Sequence, residues 1–257
     1  MTHPRCLAIC LFYNDDDIAA DAMTHLMENN HDLAVWDHGS SDGTAAVIGR
    51  FAGHIRERHF LPRNFDFYEL FGHVSRHVME TLAPDYDWIS FPESDEFLEG
   101  PDRTKSYFAH VCDVVASPFD WVQFNNVVFW ATEKDDPAIL SPRQRIRRYS
   151  VWHDCLPRVY AWRADKMTLR WFNHNPAQGA RYPIMFNTCH YPVRSDAHLA
   201  KRITGRVGLS RGSMNTHFDA MERNQDRLRI PARMLHIDDG GELSMRQTVD
   251  WRAIYGQ

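Results

Sequence analysis

Three acidic side chains, Glu93, Asp95 and Glu96, directly follow the apolar run 88–91. A short continuous apolar run is typical of a strand that is buried on both faces of a sheet. If the strand continues through Ser94, alternation places the carboxylates of Glu93 and Asp95 on the same side. Two such carboxylates suit a Mg²⁺ or Mn²⁺ ion that also holds a substrate phosphate. The alternative is a solvated acidic loop after a core strand.

A second polar stretch, 37–44, follows the apolar run 33–36. Asp37 stands at the end of that run, where its carboxylate can either bind a ligand or cap the next helix. Asp42 is better placed for capping, because a helical pattern begins at Thr44. Asn14 follows the first apolar run and has the same two possibilities, ligand contact or helix cap.

The first 95 residues alternate between short apolar runs and amphipathic helical patterns. We predict strands at 7–12, 33–36, 54–60 and 88–91, and helices at 18–27, 44–51 and 65–82. This order favours a mostly parallel sheet with right-handed crossovers. In such sheets ligands bind outside the carboxyl ends of the strands, where the polar stretches are found.

The pattern changes after residue 100 and becomes mixed. We predict helices at 105–115, 197–207 and 216–228, a loop at 133–142, and strands at 120–130, 157–162, 167–172 and 184–190. The chain length fits one α/β domain spanning 1–257. Within it, residues 1–100 form a ligand-binding half, and 101–257 form a second half with C-terminal helices.

Composition narrows the classes of protein. The net charge of −5 gives no electrostatic basis for binding nucleic acid. The five cysteines are odd in number and include no CxxC pair, which favours reduced thiols in a cytoplasmic protein. No stretch approaches the ~20 apolar residues that span a bilayer, so membrane contact would be peripheral.

Three segments together resemble the family 2-type glycosyltransferases with the GT-A fold. Residues 35–44 are similar to that family's Val-Asp-Asn-Gly-Ser-Thr-Asp-Gly-Thr segment, and 13–15 to the Asn-Glu after its first strand. Residues 93–97 are similar to its Asp-x-Asp-Glu-Phe metal motif. The resemblance covers about 100 residues and implies a GT-A-like sheet that binds a nucleotide-diphosphate sugar.

The resemblance also implies roles for individual residues. Asp95 would bind Mn²⁺ or Mg²⁺, and Asn14 and Asp37 would contact the nucleotide. Glu93 departs from the first Asp of the motif, so its longer side chain reaches ribose or metal differently. Glu96, on the other face, would hydrogen-bond within the protein or to the acceptor.

A weaker similarity covers 190–195. It implies that His190 is a third metal ligand or a diphosphate contact, with a structural histidine as the alternative. Arg194 and Lys201 would clamp phosphates, since Arg offers bidentate geometry and Lys a point charge. Two exposed cations on a helix are the alternative for that pair.

An inverting transferase needs a carboxylate base to deprotonate the acceptor hydroxyl. Asp154 is our candidate, because neighbouring aromatic residues can raise its pKa by desolvation. Asp120 and Glu133 remain alternatives.

The resulting hypothesis is a metal-dependent glycosyltransferase, with inversion implied by the resemblance, acting on a glycan, lipid or protein acceptor. The alternatives are an inactive nucleotide-sugar or glycan-binding module, which Glu93 keeps open, and a metal-dependent phosphohydrolase.

Overall fold

The computed structural model describes residues 3–62, 67–153, 158–166, 178–206 and 229–255. The strands are β1 (Cys6–Phe12), β2 (His31–Asp37), β3 (Ile55–Phe60), β4 (Trp88–Ser90), β5 (Glu96–Glu99), β6 (Trp121–Trp130), β7 (Arg148–Trp152), β8 (Arg158–Arg163), β9 (Phe186–Val193) and β10 (His236–Ile237). The α-helices are α1 (Ala19–Glu28), α2 (Thr44–Arg50), α3 (Phe67–His77), α4 (Tyr107–Val115), α5 (Pro142–Arg145), α6 (Asp196–Arg206) and α7 (Trp251–Tyr255). A π-helical turn, Val78–Leu82, continues α3.

The chain packs into two compact units that interleave along the sequence. The first comprises Met1–Asn125 and Leu156–Cys189, and the second comprises Asn126–Cys155 and His190–Gln257. Strands β6 and β9 each contribute residues to both units. The prediction of one domain with halves at 1–100 and 101–257 stays a prediction.

The first unit contains a parallel sheet in the order β4-β1-β2-β3. Strand β8 joins it antiparallel beside β4. Strands β1 and β4 are buried along nearly their whole length, as their continuous apolar runs predict. The predicted α/β class, a mostly parallel sheet flanked by helices with a mixed C-terminal half, is confirmed.

Helices cover both faces of this sheet. On one face, apolar side chains of α3 and its π-helical turn pack against β1, β2 and β4, in a core that includes Leu7, Trp36, Val74 and Ile89. On the other face, α4 packs against a core that includes Trp88 and Val122. The sheet is therefore held rigidly between two apolar layers, which fixes where its strand ends lie.

The second unit contains the antiparallel strands β10-β7-β6, of which β6 contributes its second half. Its core contains Trp130, Trp152 and Trp251, which are all buried. Buried tryptophans here act as core residues, so they do not offer the sugar-stacking surface that aromatic residues sometimes provide.

Several element boundaries differ from prediction. Helix α1 starts at Ala19, with Ile18 as its N-cap and no side-chain cap, so the capping role considered for Asn14 is wrong. Strands β5, β7 and β10 were not predicted, and the predicted strand 167–172 and helix 216–228 lie outside the described residues. Among the described helices, none is long and apolar enough to cross a membrane.

Candidate functional site

The carboxyl ends of β1, β2 and β4 form one edge of the parallel sheet, which we call the carboxyl edge; it comprises residues 13–16, 37–44 and 91–96. Hydrogen bonds from backbone amides to side-chain hydroxyls join the first two of these loops. The Asn14 amide donates to Ser40 Oγ at 3.0 Å, and the Asp15 amide donates to Thr44 Oγ1 at 2.8 Å. The His38 amide donates to the Phe12 carbonyl at 2.9 Å. The two loops are thus cross-linked into one platform.

Asn14 has a left-handed backbone, with φ of 55°. Asparagine tolerates this conformation better than most residues, so its presence after β1 has a local reason. Its side-chain oxygen accepts a hydrogen bond from the Ser41 amide at 2.8 Å. Asn14 therefore connects the two loops of the platform and does not cap α1.

Asp37 ends β2 and is 1% exposed. Its Oδ1 accepts a hydrogen bond from the Ser40 amide at 2.9 Å, across a turn in which Gly39 has a φ of 67°. Its Oδ2 is buried and has no hydrogen-bond partner in the described protein. A buried carboxylate oxygen without a donor costs free energy, which a ligand N–H or O–H group would recover.

Asp42 accepts hydrogen bonds at the start of α2, as predicted, but it lies one residue before the N-cap position. The N-cap residue is Gly43, and Asp42 Oδ1 accepts hydrogen bonds from the amide and hydroxyl of Thr44, at 2.9 and 2.6 Å. The helix start is therefore served by Asp42, which leaves Asp37 without a capping role.

Residues 93–96, which we call the acid turn, differ from the extended geometry that we expected. The chain turns at Ser94 and Asp95, and the Glu96 amide donates to the Glu93 carbonyl at 3.1 Å. The turn is closed from the other side as well, since the Glu93 amide donates to Glu96 Oε2 at 3.0 Å. Because of this turn, simple strand alternation does not relate the side chains of Glu93 and Asp95.

Glu96 is buried beneath the turn and paired with β8. Its Oε1 lies 2.5 Å from Arg158 Nη1 and accepts a hydrogen bond from Tyr160 Oη at 2.5 Å. Burial raises the pKa of Tyr160 well above its usual value, so its hydroxyl stays a donor. Glu96 therefore has a structural role within the protein, which was one of the two roles considered for it.

The contacts of the acid turn decide which of its carboxylates could hold the divalent ion that the resemblance implies. Glu96 is occupied by Arg158 and Tyr160, and Arg158 Nη1 also lies 3.8 Å from Glu93 Oε1. Asp95 is 4% exposed and Glu93 is half-buried, and their two carboxylates are the other oxygen donors of the acid turn. Mg²⁺ is usually held by one or two carboxylates together with substrate phosphates and water, so the donor set fits.

The remaining predicted contacts lie in the second unit. His190 is buried in β9, and Arg194, which follows that strand, is 1% exposed. Arg194 lines a cavity of about 640 Å³ together with Arg145 and Arg229. Lys201 is exposed on α6. His190 and Asp95 belong to different units, and their pairing as metal ligands stays a prediction.

The three candidate catalytic bases lie in different surroundings. Asp154 lies outside the described residues. Asp120 accepts a hydrogen bond from the Ala180 amide at 2.7 Å and thereby anchors a backbone segment. Glu133 lines the second-unit cavity, as does Asp135, whose pKa burial raises despite the hydrogen bond from the Thr132 amide.

Sequence reasoning missed Arg158 and Tyr160, the partners of the acid turn. Both lie in the predicted strand 157–162, and their spacing of two residues places them on one face of β8. That alternation was a usable signal for a shared environment. The sequence could not predict that their partner is Glu96, because this contact depends on how β8 pairs with β4.

The chain is similar to solved structures, but its sequence matches no known family. The sequence matches no protein-family model and no curated protein. S. aureus TarS 1–349 in complex with UDP aligns at 9% identity with a TM-score of 0.40, covering 86% of this chain and 71% of that one. A longer S. aureus TarS chain aligns at 8% identity and a TM-score of 0.41, and this chain covers 43% of it.

A protein of Desulfovibrio desulfuricans G20, with a proposed nucleotide-diphospho-sugar transferase activity, aligns at 11% identity and a TM-score of 0.35. The alignment covers 89% of this chain and 97% of that protein. With similarities at this level, a functional conclusion has to rest on the residues of the carboxyl edge.

Proposed function

We propose that this chain is a glycosyltransferase that binds a nucleotide-diphosphate sugar at the carboxyl edge and transfers the sugar to an acceptor hydroxyl. The observation that carries the proposal is Asp37, a buried carboxylate at the end of a parallel strand with one oxygen lacking a donor. A nucleotide offers the missing donor, as a base N–H or a ribose hydroxyl. The carboxyl ends of parallel strands are where α/β sheets bind nucleotides.

The loops around Asp37 support the same reading. Hydrogen bonds from Asn14 and Asp15 to Ser40 and Thr44 hold the two strand ends together before any ligand arrives. A preformed platform lowers the entropy cost of ordering the site upon binding. Asn14 and Asp37 therefore form the nucleotide side of the proposed site.

The acid turn supplies the phosphate side. A Mn²⁺ or Mg²⁺ ion held by Asp95, with Glu93 as the second carboxylate, would neutralise the negative charge that develops on the diphosphate leaving group. Arg158, 3.8 Å from Glu93, adds a fixed positive charge to the turn. His190, Arg194 and Lys201 stay proposed contacts to the metal or the phosphates, and Asp154 stays the proposed base.

Calorimetric titration with UDP and GDP, with and without Mn²⁺, tests this proposal. We expect one nucleotide to bind in a Mn²⁺-dependent manner, and binding to be weakened in Asp37→Asn and lost in Asp95→Ala. The matched control is Asp113→Asn, which removes an exposed carboxylate on α4. The proposal is overturned if neither nucleotide binds, or if Asp37→Asn binds as tightly as the control.

Turnover separates transfer from binding alone. Incubation of the nucleotide-binding protein with the matching nucleotide sugar should slowly release nucleoside diphosphate and free sugar, because water can take the place of the acceptor hydroxyl, and this release should be lost in Asp95→Ala. Binding without any release would identify an inactive binding module instead. Release of nucleoside monophosphate and sugar phosphate in place of nucleoside diphosphate, or of inorganic phosphate from added nucleoside diphosphate, would identify a phosphohydrolase.

A further inference from the structure

We propose that Glu57, His59 and His77 form a second metal site, specific for Zn²⁺ or a similar transition metal. We call these three residues the histidine cluster. Within the part of the chain that the structure describes, this is the one group of three acid, histidine or cysteine residues whose donor atoms all lie within 4.8 Å of one another. The inference is independent of the proposed transferase function.

The geometry brings all three donors to one point. Glu57 Oε2 lies 2.9 Å from His59 Nε2 and 2.7 Å from His77 Nε2. In a tetrahedral zinc site with bonds near 2.0 Å, neighbouring ligand atoms are about 3.3 Å apart. Side-chain rotations that separate Glu57 Oε2 from each nitrogen by less than about 1 Å, and that bring the two nitrogens, now within 4.8 Å of each other, to a similar spacing, would therefore create the site.

The ligand types select the metal. Two imidazoles and one carboxylate are a recurrent zinc set, in which a water or substrate takes the fourth position. Imidazole suits Zn²⁺, whereas Mg²⁺ prefers an all-oxygen environment. The histidine cluster and the acid turn would thus bind different metals.

The scaffold around the cluster restricts the ring positions. Glu57 and His59 are two residues apart on β3, so they share one face of the strand, and His77 ends the regular part of α3. The buried ring of Trp36 stacks on His59, with centroids 5.0 Å apart and planes inclined by 10°. It also meets His77 edge-on, with centroids 5.9 Å apart. These contacts hold both imidazoles toward Glu57.

The cluster is also accessible to an ion. The side chains of His59, Glu57 and His77 are 35%, 31% and 28% exposed. A site at this depth has an entry path, and a bound ion would connect strand β3 to the end of α3. We therefore expect the metal to stabilise this part of the fold.

Metal binding to the chelator-treated full chain tests the proposal. We expect equilibrium dialysis to show one tightly bound Zn²⁺ per chain in wild type, and Co²⁺ to give visible absorption bands typical of four-coordinate nitrogen and oxygen ligation. In His77→Gln and in His59→Gln the affinity should fall more than tenfold, since even second-shell losses cost about 10–100-fold. The matched control, His54→Gln, changes an exposed histidine next to β3 and should bind as wild type does.

The Asp95→Ala variant separates this site from the proposed donor site. Zn²⁺ binding that survives Asp95→Ala and is lost in His77→Gln supports the histidine cluster, whatever the nucleotide experiments show. Each variant is first melted without metal, so that loss of fold is distinguished from loss of a ligand. The proposal is overturned if wild type binds no stoichiometric Zn²⁺, or if both histidine variants, still folded, bind it as tightly as wild type.

Discussion

The acid turn and the histidine cluster both gather charged or metal-binding groups near the ends of parallel strands, yet they compensate charge in different ways. In the acid turn, the buried Glu96 is paired inside the protein by Arg158 and Tyr160. In the histidine cluster, Glu57 is about one-third exposed and is hydrogen-bonded to two imidazoles that could bind a metal together with it. The first arrangement depends on the protein alone, whereas the second is suited to an added cation.

This difference shows how a run of acids in sequence can mislead. Three acids within four residues suggest a metal cage, but one of them is needed to hold the turn and β8 together. The cluster with three converging donors draws its ligands from a strand and from a helix 18 residues further on (59 to 77). Convergence in space, and not density in sequence, distinguishes the two regions.

The largest effect should come from breaking the pair under the acid turn. Arg158→Met leaves the buried Glu96 carboxylate uncompensated, which typically costs about 3–5 kcal/mol. We expect the free energy of unfolding, measured by urea titration, to fall by about that amount. A loss below about 1 kcal/mol would mean that Glu96 is not held as an ionised, buried group. The double variant Arg158→Met/Glu96→Gln should recover much of the loss, because it removes the unpaired charge.

A buried histidine outside both regions should make the free energy of unfolding depend on pH. His31 is enclosed, with its ring nitrogens 2.7 Å from the Asn29 carbonyl and 2.9 Å from Ser90 Oγ, and burial lowers its pKa to about 4, in spite of the Asn29 hydrogen bond. Its folded-state pKa lies below the unfolded value of 6.5, so its contribution is complete above pH 6.5 and is lost as the pH falls toward 4.

The loss should reach about 3 kcal/mol at most, at 1.36 kcal/mol per pKa unit. The free energy of unfolding of wild type should therefore decline between pH 6.5 and 4, and His31→Gln should flatten that decline. An unchanged slope in His31→Gln would show that other groups set the acid sensitivity.

Asp37→Asn should weaken nucleotide binding more than it weakens the fold. The amide retains an oxygen to accept from the Ser40 amide but loses the charged acceptor at Oδ2. An interaction of this kind is worth about 1–3 kcal/mol, so we expect the nucleotide dissociation constant to rise about 5- to 150-fold. Stability without ligand should change by less than about 1 kcal/mol. A larger loss of stability with unchanged binding would reverse the interpretation and make Asp37 a structural residue.

The smallest effect should come from Glu57→Gln in chelator-treated protein. The carboxylate and its two imidazole partners are about one-third exposed, and such pairs typically contribute less than about 1 kcal/mol. Thermal melting should therefore show little change without metal. With Zn²⁺ added, wild type should melt at a higher temperature and Glu57→Gln should gain less, because binding to the native state stabilises it. A loss above about 2 kcal/mol without metal would mean that the cluster is primarily structural.

The order of the parallel core could be predicted because its signals are local. Continuous apolar runs marked β1, β2 and β4, and the helical spacing marked α3 and α4. The short strands β5 and β7 escaped prediction, because β5 is only four residues long, β7 follows a basic segment, and the pairing of both is decided by distant partners.

The site was predictable to the same extent. The capping position of Asp42 follows from the local loop pattern and agrees with the hydrogen bond that it accepts from the Thr44 amide, whereas the ligand role of Asp37 stays a prediction. The turn at Ser94 was not predictable from alternation, because it is closed by the Glu96 side chain, which is itself fixed by Arg158 on β8.

Strand β3 contains a feature with a consequence for how this protein tolerates insertions and deletions. Its pairing with β2 shifts register between Leu33 and Ala34, so that Ile55 lies opposite Leu33 but Glu57 lies opposite Ala34. One residue, Arg56, is thus extra, and after it Glu57 and His59 lie on the side of the sheet that carries Trp36. Deletion of Arg56 would restore a regular ladder and keep Glu57 opposite Ala34 and His59 opposite Trp36, whereas deletion of Arg58 would move His59 to the opposite face of the sheet. Homologues that lack Arg56 should therefore keep the histidine cluster, whereas those that lack the residue between Glu57 and His59 should have lost it.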